Sequence, residues 1–458
     1  MSQKPNIILI NCDDLGYGDL GCYGSHLNQT PHIDALSRGG MQFTDFYMGS
    51  PVCSASRAAM LTGCYPQRVG FGSNPVLFPG DAVGLRSTES TIATQLKSAS
   101  YATKIIGKWH CGDQPDFLPT RHGFDEYFGI PYSNDMGRQV NNPKNPPLPL
   151  VRNETVIQQQ PDQRGITERY TDEALQFIRN HQERPFFLYL AHMYVHVPLF
   201  VPPQFLNRSQ NGAYGAAVEC IDWSTGILMD CLKKLGLFEN TVILFTSDNG
   251  SRALDEGGSN GKCRGTKGTT WEGGQRVPCI IHWPARIQSG RVCSGVARSI
   301  DLLPTLSSIA NTPTEPAAPI DGVDFSEYLF GQLEEYPNNQ FNYYLWHDLE
   351  AIRIGHWKLH FSKRKHDKRT PNHELYNLSE DPSETTNVYE QYPDIVRELE
   401  ERAQEQRERL GDEITGNRGS EVRPIGRVKI PTPLTEYDES HPYMIAMYDL
   451  PDMPTMTG

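Results

Sequence analysis

The sequence predicts an α/β fold, in which a mostly parallel sheet is sandwiched by helices and a smaller antiparallel α+β domain follows. Continuous apolar runs rich in β-branched residues alternate with amphipathic stretches up to residue 340. Such runs are typical of strands buried on both faces of a parallel sheet. Short strands with polar breaks then run to residue 411, a pattern typical of an antiparallel sheet. We therefore expect domains at 1–340 and 341–411, followed by an irregular tail, 412–458.

Four strands form the predicted core of the larger domain. They cover residues 6–10, 101–106, 185–191 and 241–247, and the pattern indicates the fourth as the last clear core strand. Helices are predicted at residues 31–39, 54–62, 91–99, 167–180, 214–235 and 394–410. Proline at the first position of one helix and glycine just beyond several others support these limits. In the last helix, the residues expected to face inward are Ile395, Leu399, Ala403 and Leu410.

Two long stretches lack regular periodicity. Residues 113–165 are polar and rich in proline and asparagine, so we expect an irregular loop that faces the substrate. The tail, 412–458, is expected to pack back over the larger domain through Tyr443, Met444 and Tyr448.

Composition indicates a soluble globular protein. Of the 458 residues, 38% are hydrophobic and 21% are charged, and the net charge is −13. This balance argues against nucleic-acid binding as the main activity. No run approaches the ~18 consecutive apolar residues of a membrane span, and no signal peptide is apparent. We expect a cytoplasmic protein, or a periplasmic or secreted one if a leader was removed. Its ten cysteines lack a C-x-x-C pair, which favours reduced thiols over disulfides or zinc.

Polar side chains at the ends of the four core strands form a first candidate site. They are Asp13 and Asp14, Lys108 and His110, His196, and Asp248 and Asn249. Because parallel strands share one carboxyl edge, these groups are expected to lie close together. Carboxylate and amide oxygens suit Ca²⁺ or Mg²⁺ rather than zinc or copper. Taken singly, each residue also fits an ordinary loop or surface position, and His192 is expected to pack in the interior.

A second candidate site is the short predicted helix that starts beside Cys53 and stops at Gly63. Free N–H groups and the helix dipole make its N-terminus attractive to an anion. Arg57 lies one turn along the same face, so its guanidinium points back toward residue 53. The pattern indicates a reactive group beside an anion site, with a buried structural cysteine as the alternative. Lys267, in the glycine-rich stretch 265–274, is a further candidate cation.

These motifs resemble those of the type I sulfatases. Cys53-Ser-Ala-Ser-Arg57, followed by Ala-Ala-Met-Leu-Thr-Gly63, resembles the family signature C-x-P-S-R-x-x-x-L-T-G. Gly-Lys-Trp-His at 107–110, His-Val-Pro at 196–198 and the 265–274 stretch also resemble family motifs. The resemblance covers most of the chain and is nearest to the arylsulfatase and N-acetylgalactosamine-6-sulfatase branch.

The resemblance implies an alkaline-phosphatase-like fold and a modified cysteine. In this family the cysteine is oxidised to formylglycine, whose hydrate is the nucleophile. Position by position, the implied ligands of Ca²⁺, with Mg²⁺ possible, are Asp13, Asp14, Asp248, Asn249 and an oxygen of modified Cys53.

The resemblance also implies the catalytic roles. Arg57 and Lys108 would stabilise the hydrate, and Lys267 and His196 would bind the sulfate and protonate the leaving alcohol. His110 would then take a proton from the remaining hydroxyl, so that sulfate is expelled and the aldehyde returns.

The sequence therefore predicts a sulfuric ester hydrolase that releases sulfate from a monoester, with aryl, steroid and amino-sugar sulfates all open. One alternative is a phosphomonoesterase or phosphodiesterase of the same superfamily, which the single hard-ligand set and the cysteine disfavour. The other is a non-catalytic protein that binds sulfated glycans.

Where the signature has proline this chain has Ala55. In this family the oxygen-independent radical maturase tolerates alanine, so we expect that partner and an anaerobic bacterial host.

Overall fold

The computed structural model describes residues 4–139, 142–312, 318–365 and 368–441. The strands are β1 (Asn6–Cys12), β2 (Met41–Tyr47), β3 (Val83–Gly84), β4 (Ala102–Gly107), β5 (Glu126–Gly129), β6 (Pro149–Arg152), β7 (Thr155–Gln159), β8 (Phe186–Ala191), β9 (Thr241–Ser247), β10 (Arg276–His282), β11 (Arg291–Cys293), β12 (Ala297–Arg298), β13 (Gln340–Leu345), β14 (Asp348–Ile354), β15 (Trp357–Lys365), β16 (Lys368–Asn377) and β17 (Gly426–Arg427).

The helices lie between these strands. They are α1 (Pro31–Gly39), α2 (Cys53–Thr62), α3 (Ile92–Ser98), α4 (Ile166–Asn180), α5 (Pro203–Leu206), α6 (Gly212–Lys234), α7 (Glu272–Gln275), α8 (Leu302–Ile309), α9 (Ser326–Leu329) and α10 (Pro393–Leu410). In the described ranges, no helix combines the length and the apolar character needed to traverse a bilayer.

A large mixed sheet organises the first part of the chain, with the order β11-β2-β10-β9-β1-β8-β4-β5-β6-β7 and β12 beside β2. The central strands β9, β1, β8 and β4 run parallel to one another, and every residue in them is buried. Along β1, Ile7 and Leu9 enter one hydrophobic core while Ile8 and Ile10 enter the other. Helices α2, α3 and α8 cover the first face and α1, α4 and α6 the second. The predicted α/β sandwich is confirmed.

Beyond β9 the sheet continues into β10 and β2, so the prediction that residues 241–247 form the last core strand is wrong. β10 contains Pro278, and its register with β2 shifts between Val277 and Cys279. Proline lacks the N–H that a ladder needs, so it occurs at such irregular positions and interrupts the apolar pattern of a strand. The first half of β2 alternates buried and half-buried residues instead of forming an apolar run.

The other edge of the sheet corrects a second prediction. The stretch 113–165, expected to be an irregular loop, contains β5, β6 and β7. β5 runs parallel to β4, and β6 and β7 continue antiparallel. β7 is the exposed edge, with no fully buried residue. Polar side chains suit such an edge because they oppose pairing with the strands of other chains. Because β7 is polar, it contains no apolar run, and the sequence pattern did not predict it.

Local capping explains the limits of the helices near the cleft. α2 ends at Thr62, where Gly63 adopts the left-handed conformation (φ of 68°) and its N–H donates to the carbonyl of Ala59. α3 begins after Thr91, whose side chain accepts from the N–H of Thr94 while the Thr94 side chain caps Thr91 in return. These caps fix the end of α2 and the start of α3.

The C-terminal part of the described chain forms the predicted antiparallel sheet, in the order β13-β14-β15-β16, with α10 packed on β14. In α10 the buried residues are Val396, Leu399, Ala403, Gln406 and Leu410. Their spacing of three and four residues defines one stripe, which Ile395 misses. Ile395, which was predicted to face inward, lies beside this stripe and is partly buried against the same core.

The two sheets share one apolar core and one charged network. Phe341 and Tyr343 of β13 belong to the same buried cluster as Tyr47 and Tyr65 of the larger domain. Beside this cluster lies what we term the Lys358 network, which consists of Lys358, Glu272, Glu384 and the groups that bond them. Lys358 Nζ lies 3.0 Å from Glu272 Oε1, 2.8 Å from Glu384 Oε1 and 2.9 Å from the carbonyl of Thr270.

The described part of the tail lies against the larger domain. β17 pairs with β3. The N–H of Thr432 donates to Gln114 Oε1 at 2.8 Å, and the hydroxyl of Thr435 donates to the carbonyl of Pro147 at 2.5 Å. Tyr443, Met444 and Tyr448, which were expected to mediate this packing, lie outside the described residues.

Candidate active site

Cys53 is the first residue of α2, and only 2% of its surface is exposed. Two hydrogen bonds fix the helix start against the following loop. The N–H of Ala55 donates to the carbonyl of Pro75 at 3.0 Å, and the N–H of Leu77 donates to Ser54 Oγ at 3.0 Å. The backbone at the start of α2, and with it position 53, is therefore fixed at the sheet edge.

Asp13, Asp14 and Asp248 form a buried acidic cluster at the ends of β1 and β9. One carboxylate oxygen from each lies within 4.8 Å of the others. Asn249 Nδ2 donates to Asp14 Oδ1 at 2.7 Å. Among the described residues, Asn249 Oδ1 and Asp13 Oδ1 lack hydrogen-bond partners. Buried acceptor oxygens are costly without a positive partner, so this set of hard oxygen donors fits a divalent cation.

Three cationic side chains each contact one carboxylate of the cluster. The distances are 2.5 Å from Lys108 Nζ to Asp13 Oδ2, 2.8 Å from Arg57 Nε to Asp248 Oδ2 and 3.0 Å from Lys267 Nζ to Asp14 Oδ2. Arg57 also donates to the carbonyl of Lys108 at 2.9 Å, and Lys108 donates to Ser133 Oγ at 2.6 Å. Positive groups of this kind, fixed before an anion binds, stabilise charge that develops on it without reorganisation.

The neighbouring carboxylates have opposite pKa shifts. Burial acts to raise the pKa of Asp13, but Lys108, His196 and Arg57 outweigh it and hold that pKa well below its usual range. Burial and repulsion from Asp13 raise the pKa of Asp248 to about 7. Two carboxylates this close resist ionising together, and a bound divalent cation would favour the charged form of both.

The thiol of Cys53 is not activated in this environment. Burial raises its pKa, although Lys108 and Lys267 favour the thiolate. Reactive cysteines require the thiolate at working pH. At neutral pH the side chain of Cys53 is therefore a protonated thiol.

His196 lies in the loop after β8, with one ring nitrogen directed at the acidic cluster. Its Nδ1 lies 2.5 Å from the carbonyl of Val197, and its Nε2 lies 3.9 Å from Asp14 Oδ2. A carbonyl only accepts, so Nδ1 carries the hydrogen in this contact. Burial and the nearby Lys267 lower the pKa of His196.

His110 also presents a single free nitrogen. It is buried, with a left-handed φ of 59°, and its Nε2 donates to the carbonyl of Leu77 at 2.9 Å. Its Nδ1 has no hydrogen-bond partner among the described residues. Burial and Lys108 lower its pKa well below the usual range. His110 is therefore neutral at pH 7, with Nδ1 available as a proton acceptor.

A cleft of about 790 Å³ opens above position 53. Its inner end is formed by Cys53, His196 and Lys267. Ser133, which contacts Lys108, also lines the cleft. The other lining residues, which we term the outer chamber, include Ser73, Phe78, Asp81, Asp135, Met136, Arg252 and Trp346. One cleft therefore contains both position 53 with its cationic neighbours and a set of aromatic and charged side chains.

A model of the family described as Sulfatase matches residues 5–312. This chain belongs to the sulfatase family. A second model, described as N-sulphoglucosamine sulphohydrolase, C-terminal, matches residues 266–409. The sulfatase match thus spans the strands that supply the site, and the second spans the C-terminal sheet.

Curated sulfatases resemble most of the chain. Arylsulfatase A of Homo sapiens is 39% identical over 428 residues, covering 85% of this chain and 84% of that protein. N-acetylgalactosamine-6-sulfatase of Canis lupus familiaris is 40% identical over 380 residues, covering 78% of this chain and 72% of that protein. The predicted family and the class of sulfuric ester hydrolase are confirmed.

Solved structures share the fold. The PsFucS1 sulfatase from Pseudoalteromonas sp. superposes with a TM-score of 0.83 at 27% identity, covering 93% of this chain and 92% of that one. Ps i-CgsB in complex with k-i-k-neocarrahexaose superposes with a TM-score of 0.77 at 30% identity, covering 88% and 92%. The predicted alkaline-phosphatase-like sulfatase fold is confirmed.

The sequence analysis missed several residues of the sulfatase cleft. Ser133, which contacts Lys108, lies in the stretch interpreted as a loop. Phe78, Arg252 and Trp346 line the outer chamber and match no motif that was considered. Trp346 reaches the cleft only because the C-terminal sheet docks there, a tertiary event that local sequence patterns do not record.

His192, predicted to pack in the interior, provides a pH-dependent test of the sulfatase core. Burial lowers its pKa to about 3, and neither ring nitrogen has a partner among the described residues. In the unfolded chain the imidazole of His192 has a pKa of ~6.5, so it binds a proton at pH values where the folded protein keeps it neutral. The free energy of unfolding therefore decreases as the pH falls below ~6.5. At pH 5 this one residue should lower the free energy of unfolding by about 2 kcal/mol.

We therefore expect His192→Leu to lose less stability than the wild type between pH 7.5 and pH 5, measured by chemical denaturation. His26→Leu, at an exposed position, serves as the control and should retain the wild-type slope. Equal slopes for wild type and His192→Leu would contradict the assignment.

Proposed function

We propose that this protein hydrolyses an aryl or carbohydrate sulfate monoester through a formylglycine hydrate derived from Cys53. One observation carries the proposal. Position 53 lies at the inner end of the cleft, at the buried N-terminus of α2, with His196 and Lys267 in the same cleft wall and the acidic cluster nearby. A nucleophile, a cation site and anion-binding groups in one place are the parts that ester hydrolysis of this kind needs.

Asp13, Asp14, Asp248 and Asn249 are the residues proposed to hold Ca²⁺, with Mg²⁺ as the other candidate. The buried acceptors Asn249 Oδ1 and Asp13 Oδ1 support this, as does the absence of soft ligands from the cluster. A bound cation would supply Lewis-acid stabilisation of negative oxygen at position 53. Arg57 and Lys108 would hold the same oxygens and keep two of the carboxylates in place.

The first step transfers the sulfuryl group to position 53. A carboxylate of the acidic cluster is proposed to take the proton of one hydrate hydroxyl, and the oxygen of that hydroxyl attacks sulfur. The bond from sulfur to the alcohol oxygen breaks, and the alcohol oxygen takes up a proton as it leaves. Lys267 and His196 are proposed to bind the sulfate oxygens. Burial acts to lower the pKa of Lys267, but Asp14 outweighs it and raises that pKa, so Lys267 carries a proton for the alcohol. His196 can donate one only in its protonated form, with hydrogen on Nε2 as well as Nδ1. General acid–base catalysis of this kind contributes about 10²–10⁴-fold.

The second step releases sulfate. We assign the base to His110, because its Nδ1 is unprotonated and unpartnered among the described residues. It takes the proton of the remaining hydroxyl, the carbon–oxygen bond to sulfate breaks, and the aldehyde is restored. Water then regenerates the hydrate.

Ala55 supports a proposal about maturation. This buried position follows the modified cysteine by two residues, where the family signature has proline. We propose the oxygen-independent radical maturase as the partner that oxidises Cys53, in an anaerobic bacterial host.

The decisive experiment compares hydrolysis of 4-nitrophenyl sulfate and 4-nitrophenyl phosphate by protein matured with the radical enzyme. We expect turnover of the sulfate ester and loss of that turnover on removal of the metal with a chelator. Addition of Ca²⁺ should restore turnover, because the bound cation again supplies Lewis-acid stabilisation at position 53.

Preference for the phosphate ester would favour the phosphatase alternative. Failure of fully modified protein to turn over any sulfate ester, while it still bound sulfated glycans, would favour the non-catalytic alternative. Activity that persists in chelator would contradict the metal assignment.

A further inference from the structure

Two large aromatic side chains are exposed at the mouth of the cleft. Phe78 is 57% exposed and Trp346 is 38% exposed, and both line the chamber that begins at Cys53. They come from different parts of the chain, since Phe78 follows α2 and Trp346 lies between β13 and β14. Apolar surface left in water at the entrance of a binding cleft is the usual mark of a ligand contact.

The backbone of Trp346 is held in position. Its carbonyl accepts from Gln67 Nε2 at 2.6 Å, and the next residue, His347, bonds Ser73 Oγ at 2.7 Å. Trp346 also has a left-handed φ of 55°, which is rare for a bulky side chain and persists only where the surroundings impose it. The ring is thus carried on a turn that the larger domain fixes.

The backbone of Phe78 is fixed as well. Its N–H donates to Asp81 Oδ2 at 2.7 Å, and its carbonyl accepts from the N–H of Asp81 at 3.1 Å. The preceding residue, Leu77, bonds both Ser54 and His110. Ligand binding between these residues therefore requires little ordering of their backbone.

Charged groups share the chamber with these rings. Asp81, Asp135 and Arg252 all line it, and each contacts other residues while still facing the cleft. A carboxylate accepts several hydrogen bonds at once, so these groups have capacity for ligand hydroxyls. A purely apolar leaving group would displace water from these charged side chains without forming hydrogen bonds to them, which lowers binding affinity.

We propose that Phe78 and Trp346 form a ring-binding subsite for the leaving alcohol, and that this alcohol is a pyranose sugar rather than an aryl or steroid group. The inference rests on the proposed function, whose sulfate-binding end lies in the same cleft. A sugar ring has an apolar C–H face for the aromatic rings and hydroxyls for the charged groups. The volume of about 790 Å³ leaves room for such a ring beyond the sulfate.

The experiment measures binding without turnover, using the full chain with Cys53→Ala and Ca²⁺ added. The ligands are inorganic sulfate, phenyl sulfate and a panel of hexose and N-acetylhexosamine monosulfates, titrated by calorimetry. We expect at least one sugar monosulfate to bind more tightly than phenyl sulfate and inorganic sulfate. Adding Trp346→Ala should weaken that binding about 10-fold, since stacking on an aromatic ring is worth ~1–3 kcal/mol. Phe78→Ala should act in the same direction.

Two controls separate a specific effect from a loss of folding. Inorganic sulfate, which reaches only the inner end, should bind Trp346→Ala and its parent with dissociation constants within about twofold. Trp346→Phe should recover most of the affinity because it keeps an aromatic face. Tyr392→Ala removes an aromatic side chain of similar exposure that packs at a tilt against Trp357, outside the cleft, and should leave every constant unchanged.

Unchanged sugar affinity in Trp346→Ala and Phe78→Ala would overturn the subsite, as would a parallel loss of inorganic sulfate binding. Tightest binding by phenyl sulfate would overturn the choice of a sugar. Turnover of 4-nitrophenyl sulfate by the matured wild type tests the proposed function separately. The subsite can therefore fail while sulfate hydrolysis stands, and hydrolysis can fail while ligands still bind.

Discussion

Replacing Cys53 with alanine will abolish sulfate-ester hydrolysis while leaving the protein folded. The substitution removes the sulfur that the proposed oxidation to formylglycine requires, so no hydrate can form at position 53. Loss of a nucleophile of this kind costs on the order of 10⁶ in kcat. Release of 4-nitrophenol from matured protein measures the effect, and the melting temperature should stay near that of the wild type.

Cys64→Ala is the matched control, because Cys64 is a fully buried cysteine just beyond the same helix. It should lose some stability and keep its activity. Mass analysis of the peptide carrying residue 53 completes the test. The fraction of aldehyde should follow the activity, and it should be high only with the radical maturase. Activity in Cys53→Ala, or efficient conversion by the oxygen-dependent enzyme alone, would contradict these assignments.

Lys358→Met will destabilise the protein by about 3–5 kcal/mol, because it leaves two buried carboxylates without their shared cation. Lys358, Glu272 and Glu384 have fully buried side chains. Burial acts to raise the pKa of Glu272, and Lys358 is the largest influence that instead holds it well below its usual range. Denaturant titration followed by fluorescence measures the loss.

Lys363→Met on the same strand is the control for the loss of a lysine. Its ion pair with Glu374 is partly exposed, with 27% and 24% of the two side chains accessible. Pairs of that kind contribute about 0–1 kcal/mol. Similar losses for the two variants would show that the Lys358 network does not stabilise the fold as argued.

Sequence reasoning recovered the parts of the fold that have strong local patterns. β1, β4, β8 and β9 are continuous apolar runs, because both of their faces are buried. β10 and β7 were missed because Pro278 interrupts one and the other is an edge with a polar face. An apolar pattern arises from burial, so it does not predict a strand that is only partly buried or is interrupted by proline.

The candidate site divides in the same way. Asp14, Lys108 and Asp248 follow apolar strands whose shared edge could be deduced, and the structure places their side chains in one contact network. Ser133 and Trp346 could not be deduced, because each enters the cleft through packing between segments far apart in the sequence. Residues whose position in the site follows from the order of the strands could be predicted. Residues that reach the site because distant segments pack together could not.

The apolar cluster shared by the two sheets has a consequence for how the chain acquires its structure. Tyr47 and Tyr65 lie in the same packed group as Phe341 and Tyr343, so each side of residue 340 buries aromatic surface against the other. A chain cut near residue 340 would expose aromatic surface on both fragments. The change in sequence character there marks a change of architecture, while the packed interior continues across it. Because Trp346 lies beyond this point in the chain, the cleft wall is complete only when the C-terminal sheet is packed against the larger domain.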